Sequence, residues 1–219
     1  MLETLGNAVL YSIEDTEVRE WDIPAETTLL RVSLPSSPEN SAAMFKRGYL
    51  LGDRTILCTI PTRNLPDNLG KSVRVKATLE NADHDAMFEL SRSSFLGDRR
   101  FYVTPDCRQD IADIALKKWI GNLDETLVCR VKNEYAGFLA PTLYSHDSLC
   151  VNLAATNERF RLAGVAVSLY TSAICLAHER GLSRLVGRIS SRNMAVTNLY
   201  ANLGAKFSDP LDIYIKEVR

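Results

Sequence analysis

The sequence predicts an α/β fold: a mixed central sheet with flanking helices, preceded by a small N-terminal α/β domain over residues 1–72. Three observations carry this. Strand-like alternation and helix-like periodicity interleave along the chain. TRNLPDNLGKS (62–72) concentrates turn residues and is the best boundary, leaving 73–219 as the main domain. An apolar run at 148–156 then leads through a short polar link into small residues and a strongly helical stretch.

TTLLRVSL (27–34) reads as a strand, and Ala42–Phe45 as a short helix closed by Gly48. RTILCTIP (54–61) and VRVKATL (73–79) alternate as strands, and HDAMFELSRSSF is helical, followed by a polar loop to Cys107. Ile111, Ile114, Ala115 and Trp119 recur at helical spacing within 108–123. ETLVCRVKN and YAGFLAPTLYS form a hairpin joined near Asn133 and Glu134, and SLCVNLAAT (148–156) is the next strand. A helix runs to about Arg180 and stops at Gly181; then follow a strand (RLVGRIS), a helix stopped at Gly204, and a last strand (LDIYIKEV). Residues 29–60 echo 185–217: strand, Ser-Ser, an Asn, a short helix with an aromatic, Gly, strand. Duplication and coincidence both account for the echo.

Composition narrows the function. Apolar residues make up 46% and charged residues 24% of 219, a globular profile with ample material for a core. Lys and Arg number 26 against 27 Asp and Glu, a net charge of -1, which argues against a polyanion partner. The five cysteines are scattered; Cys58, Cys129, Cys150 and Cys175 lie in apolar runs and read as buried thiols. His84, His146 and His178 lack metal-ligand spacing, so no metal is expected. The N-terminus lacks the apolar core of a signal peptide, and no window approaches a membrane span. The expectation is a reduced, cytoplasmic protein with no nucleic-acid or membrane partner and with a homodimer as an assembly to test.

The segment RFRLAGVAVSLY (159–170) places Arg161, then Ala163, Gly164 and Ala166, at a helix entry. The first N–H groups of a helix have no internal partners, and the helix dipole favours an anion there. Small residues at 163–166 leave those amides open to a diphosphate; close packing against a neighbour explains them equally. The segment is neither a Walker loop nor G-x-G-x-x-G.

The order of elements resembles the GNAT superfamily of acyl-CoA N-acyltransferases, whose fold is a mixed sheet with a V-shaped opening between two parallel strands. The family's Q/R-x-x-G-x-G/A loop matches Arg161, Gly164 and Ala166. Its later N…A…Y…LG segment matches Asn193, Ala195, Tyr200, Leu203 and Gly204, with Ala205 and Lys206 before Phe207. The match covers about residues 120–219. Upstream, SRSSFLGDRRF and ADIALKKWIGN resemble the dTDP-amino-sugar acetyltransferases of the dTDP-fucosamine type, with Ser94 where that pattern has arginine.

The resemblance implies acetyl-CoA as acyl donor and a small-molecule amine, most specifically of a nucleotide-linked amino sugar, as acceptor. Arg161, Leu162, Ala163, Gly164, Val165 and Ala166 would hold the pyrophosphate. The strand at Ala155 and Thr156 would meet the thioester carbonyl. Asn193 would bond the pantetheine, with an N-cap role as its structural alternative. Tyr200 would be the acid for the leaving thiolate; an unperturbed phenol pKa of about 10 suits that task, and a core aromatic is the alternative. Asn193 and Tyr200 are two helical turns apart, which predicts a shared face. No base is evident: Asn152 stands where some relatives carry Glu, and His84 and His146 are polar-loop candidates; Asp98, Arg99 and Arg100 could meet a nucleotide diphosphate or sugar, with a solvated loop as the alternative. Another small amine or a peptide N-terminus is the alternative acceptor, and a non-catalytic CoA-binding module the alternative class.

Overall fold

The computed structural model describes residues 1–5, 8–64, 75–95 and 109–218. In chain order the elements are β1 (Leu2–Leu5), β2 (Ala8–Glu14), β3 (Leu29–Pro35), α1 (Pro38–Lys46), β4 (Leu50–Pro61), β5 (Ala77–Asn81), α2 (His84–Ser94), α3 (Gln109–Ile120), β6 (Glu125–Val131), β7 (Glu134–Ser145), β8 (Ser148–Thr156), α4 (Val165–Glu179), β9 (Arg184–Ser190), α5 (Met194–Asn202) and β10 (Lys206–Glu217). The ten described strands form one sheet, ordered β1-β2-β3-β10-β4-β9-β8-β7-β6-β5.

Local chemistry sets the ends. Ser37 caps α1, accepting the Asn40 N–H at 3.0 Å, and Pro38 follows it. Asp83 caps α2 through the Ala86 N–H. Lys132 and Asn133 take left-handed φ values of 50° and 66°, the pair that a tight hairpin between β6 and β7 requires. The strand expected at 73–79 forms at Ala77–Asn81, and β1 and β2 form where no strand was expected. The proposed boundary after residue 72, the loop at 96–107 and Cys107 lie outside the described residues.

The sheet joins both halves of the chain, because β4 lies between β10 and β9, antiparallel to each. The echo between 29–60 and 185–217 is geometric. Each unit is a strand of 7 residues, a helix of 9 and a strand of 12. Ser37 and Asn193 cap the two helices, and Gly48 and Gly204 follow them at φ 78° and 75°. The parallel pair β2/β3 corresponds to β8/β9. The crossover from β2 to β3 carries no helix, whereas that from β8 to β9 carries α4.

α1, α4 and α5 cover one face; α2 and α3 cover the other. Adjacent residues of α3 reach strands far apart in the sheet. Lys118 Nζ lies 3.4 Å from Glu3 on β1, and Trp119 Nε1 donates to Asn152 Oδ1 on β8 at 2.9 Å. Six strand spacings separate β1 from β8, about 29 Å in a flat sheet. One helix about 10 Å across spans that interval only if the sheet curls around it. α3 therefore lies in a trough.

At the join, Arg54 on β4 faces Asp212 on β10. Its Nε and Nη2 donate to Oδ1 and Oδ2 at 2.5 and 2.9 Å, and Ser36 and Tyr214 each donate to Oδ2 at 3.2 Å. Burial pushes the Asp212 carboxyl up, but these donors outweigh it and hold its pKa below the ordinary 3.8. A depressed carboxylate stabilises the fold above its unfolded pKa and loses that contribution as pH falls through its folded pKa. Wild-type stability should thus decline below about pH 4. Asp212→Asn should cost about 2 kcal/mol at pH 7, less than a fully buried pair because Arg54 is partly in water, and should flatten that decline. Urea titrations at a series of pH values check both.

Candidate active site

β8 and β9 run parallel but pair only over Ser148–Cys150 against Arg184–Val186. Beyond that point each keeps only its outer neighbour, β7 or β4, so the strands part into a V. The parting begins at a bulge. Pro141 pairs with Val151 and Ala140 with Leu153, which leaves Asn152 as an extra residue in β8. The Trp119 indole bonded to Asn152 pins that bulge to α3. Ala155 and Thr156 lie farther along the open edge, paired with Phe138 and Gly137 on their other side.

At the mouth of the V the chain makes a 3₁₀ turn over Glu158–Ala163, capped by Asn157, before α4 begins. Arg161, Leu162 and Ala163 belong to this turn. Gly164 takes φ 77°, ψ 15°, a left-handed conformation that glycine adopts without Cβ strain. No side chain caps α4, so its first-turn amides at Val165, Ala166 and Val167 receive no side-chain acceptor. Close packing operates here too. A Cβ on Gly137 would lie 2.7 Å from Val165 Cγ1, so that glycine lets α4 settle on β7.

Tyr200 reaches the root of the V from the α5 side. Its side chain is 0% exposed, and its hydroxyl finds no hydrogen-bond partner among the described residues. A Cβ on Gly187, the first β9 residue past the pairing, would lie 2.0 Å from Tyr200 Oη and 3.5 Å from Val151 Cβ. The missing side chain of Gly187 is what admits the hydroxyl. The Tyr170 ring stands edge-on, with centroids 5.1 Å apart. Burial, then Tyr170, pushes the Tyr200 phenol well above 10, so it stays protonated. Burial also raises the nearby Cys58 and Cys150 thiols to about 11.

Asn193 caps α5, accepting the Val196 N–H at 3.2 Å, and is exposed. Its φ and ψ of −84° and 75° are not helical, so the two-turn spacing to Tyr200 does not place both on one face: Tyr200 points inward. His84 Nε2 lies 2.8 Å from the Leu123 carbonyl at the start of α2, and His146 is exposed in the β7–β8 turn; neither is at the V. Asp98, Arg99 and Arg100 lie outside the described residues.

Sequence reasoning missed Asp53 on β4. It is 2% exposed, on the α3 side of the sheet. Its Oδ1 accepts from Ser190 Oγ and the Arg54 N–H, each at 2.8 Å, and its Oδ2 is buried without a partner. Ser190 ends β9 on the open limb of the V. The available signal was an acidic residue within a mostly apolar strand, and for Gly187 a lone glycine inside one. Among the described residues no group of three His, Cys, Asp or Glu is placed to hold a metal ion, and no helix is long and apolar enough to cross a membrane.

No protein-family model matches the sequence, and no curated protein matches it. Solved structures share its fold. A functionally unknown conserved protein from Staphylococcus epidermidis superposes with TM-score 0.65 at 12% identity, over 88% of this chain and 74% of that one. A GCN5-related N-acetyltransferase from Sphaerobacter thermophilus gives 0.54 at 16%, over 90% and 62%. A tandem GNAT protein from the clavulanic acid biosynthesis pathway gives 0.56 at 14%, over 88% and 65%. The chain spans less than two thirds of the length of the last two. At these identities the likeness is one of fold, and the fold is GNAT-like.

The approach of Tyr200 to Gly187 is open to test. Gly187→Ala should destabilise the protein by about 1–3 kcal/mol, the usual cost of overpacking, because the new methyl meets the hydroxyl. Tyr200→Phe should relieve part of that loss in the double variant, a coupling that thermal or denaturant unfolding of the four proteins measures.

Proposed function

We propose that this chain is an acyl-CoA-dependent N-acyltransferase that moves an acetyl group from acetyl-CoA to a primary amine. One observation carries the reading: the V between β8 and β9 has unpaired inner edges, a bare helix N-terminus at its mouth and a buried, unpartnered hydroxyl at its root. A thioester on a long polar arm with a diphosphate at its far end suits such a slot. The diphosphate would lie on the amides of Val165 and Ala166, beside Arg161 to Gly164. The arm would pair with the β8 edge toward Ala155 and Thr156, and Asn193 would flank it.

The roles follow from which groups lack partners. The amine nitrogen attacks the thioester carbonyl carbon, the new C–N bond forms and the C–S bond breaks. Asp53, through its free Oδ2, takes the proton that the amine gives up. Tyr200 gives its phenolic proton to the departing sulfur; a raised pKa keeps that proton in place until a thiolate forms. The two act from opposite faces of the sheet. The acceptor is proposed as the amine of a nucleotide-linked amino sugar, a reading supported by the resemblance of SRSSFLGDRRF and ADIALKKWIGN to acetyltransferases of that kind.

The test is release of free CoA thiol from acetyl-CoA in the presence of an amine panel that includes dTDP-4-amino-4,6-dideoxy sugars. Tyr200→Phe should lower kcat by roughly 100-fold. It should leave the melting temperature unchanged or higher, because the hydroxyl removed is buried and unpaired. A near-wild-type rate with an amine that is mostly neutral assigns Tyr200 to the core alone. Gly164→Glu should abolish CoA binding by placing a carboxylate and bulk against the amides. Gly164→Ala, which carries the same backbone strain without the charge, should retain measurable binding. CoA binding without turnover on any amine is the result a non-catalytic module would give.

A further inference from the structure

The trough around α3 contains a cavity of about 800 Å³, walled by β1, β2, β3, β10 and α3. Its floor is polar in one place. Ser12 on β2 is in register with Arg31 on β3, and Ser33 follows two residues on, so all three share a face. The Arg31 guanidinium is half-buried and makes no hydrogen bond or ion pair among the described residues. Of the carboxylates lining the cavity, Glu3 acts on Arg31 through space without an ion pair to it. Glu3 is paired with Lys118 at 3.4 Å, and Glu14 is exposed at the strand end. Around this spot the walls are apolar: Ile213 and Ile215 on β10, and Trp119 on α3. An arginine with no direct partner, flanked by two hydroxyls and by the apolar side chains of β10 and Trp119, is well suited to a carboxylate or phosphate.

From the Ser33 and Ile213 wall of the cavity, a line of paired residues leads toward the V. Ser33 pairs with Ile213, Ile213 pairs with Asp53, and Asp53 is bonded to Ser190 on β9. These residues form a line across one face of the sheet. Asp53 lies two strand spacings from Ser33, roughly 10 Å. Trp119 links the same two places from above, lining the cavity while donating to Asn152 at the β8 bulge.

We propose that this cavity is the acceptor pocket, and that it selects amines carrying their own anionic group about 10 Å away, with the anion on Arg31, Ser12 and Ser33 and the amine at Asp53. The inference rests on the acyltransfer reading for the amine's fate but not for the anion site. The N-terminal strands have no helical crossover and no V of their own, since β2 and β3 stay paired through Glu14 and Ser33. Their contribution is to supply the far end of the pocket.

Calorimetric titration of the full chain tests this with amines of fixed reach: 8-aminooctanoate, 8-aminooctyl phosphate and neutral octylamine. Either anion should bind roughly 10- to 100-fold more tightly than octylamine, the range of one charge-assisted contact, and the tighter of the two identifies the anionic group. Arg31→Gln should erase the preference, and Arg31→Lys should keep part of it. Equal binding of the three probes by wild type, which requires no variant, or a preference that survives Arg31→Gln, overturns the proposal. Acetyl-CoA is titrated separately. If it fails to bind while the Arg31-dependent preference persists, the acyltransfer reading falls and the anion site stands. If it binds and the preference is absent, the reverse holds.

Discussion

The seating of β4 between β10 and β9 is the constraint on which the rest depends. It occupies the outer edge of β9 with a ladder of seven register pairs, so the only edge β9 can open is the one facing β8. It carries Cys58 and Asp53 to the two faces of the sheet beside that opening. It also joins the two halves of the chain in one sheet, because β10 then has its second partner in β3. The matched lengths of the two strand–helix–strand units let this exchange occur about a local pseudo-twofold axis, with Arg54 and Asp212 tying its centre. The same geometry that a pair of separate subunits would need symmetry to achieve is here built into one chain.

From that arrangement two consequences reach the site from opposite sides. On the α5 side, Gly187 admits the Tyr200 hydroxyl to the root of the V, and burial leaves it protonated and unpaired. On the α3 side, the curled sheet forms a trough in which Asp53, Trp119 and Arg31 succeed one another. Unsatisfied groups on both faces of the V suit the proposed reaction, whose leaving group and nucleophile depart and arrive in opposite directions. The unsatisfied groups are informative because folding alone penalises them: a buried hydroxyl, a buried carboxylate oxygen and an unpaired guanidinium each cost free energy that an inert core would avoid.

Much of the main architecture could be read from the sequence, and for local reasons. Strands 148–156 and 184–190 and the helices between and after them announce themselves by periodicity and by Gly181 and Gly204 at the stops. The helix entry at Gly164 was legible because small residues and a following apolar helix are contiguous. The misses are non-local or brief. β1 has four residues, too few for a pattern. Asp53 escapes a reading that starts the strand at Arg54, because the strand begins four residues earlier, at Leu50. The bulge at Asn152 is a difference of register between two strands, and a single strand does not display it. Nor does local sequence specify that β4 inserts beside β9 or that the sheet curls until one helix touches both β1 and β8. Asn193 and Tyr200 do not share a face despite their two-turn spacing, since a cap residue has non-helical backbone angles that turn its side chain away from the helical repeat.

The account is tested most directly by a crystal structure of the chain grown with CoA. It predicts the diphosphate on the amides of Val165 and Ala166, the arm along the free edge of β8, and the thiol between Val151 and Gly187 within reach of Tyr200 Oη. A V left empty at saturating CoA, or CoA bound elsewhere on the molecule, would contradict it.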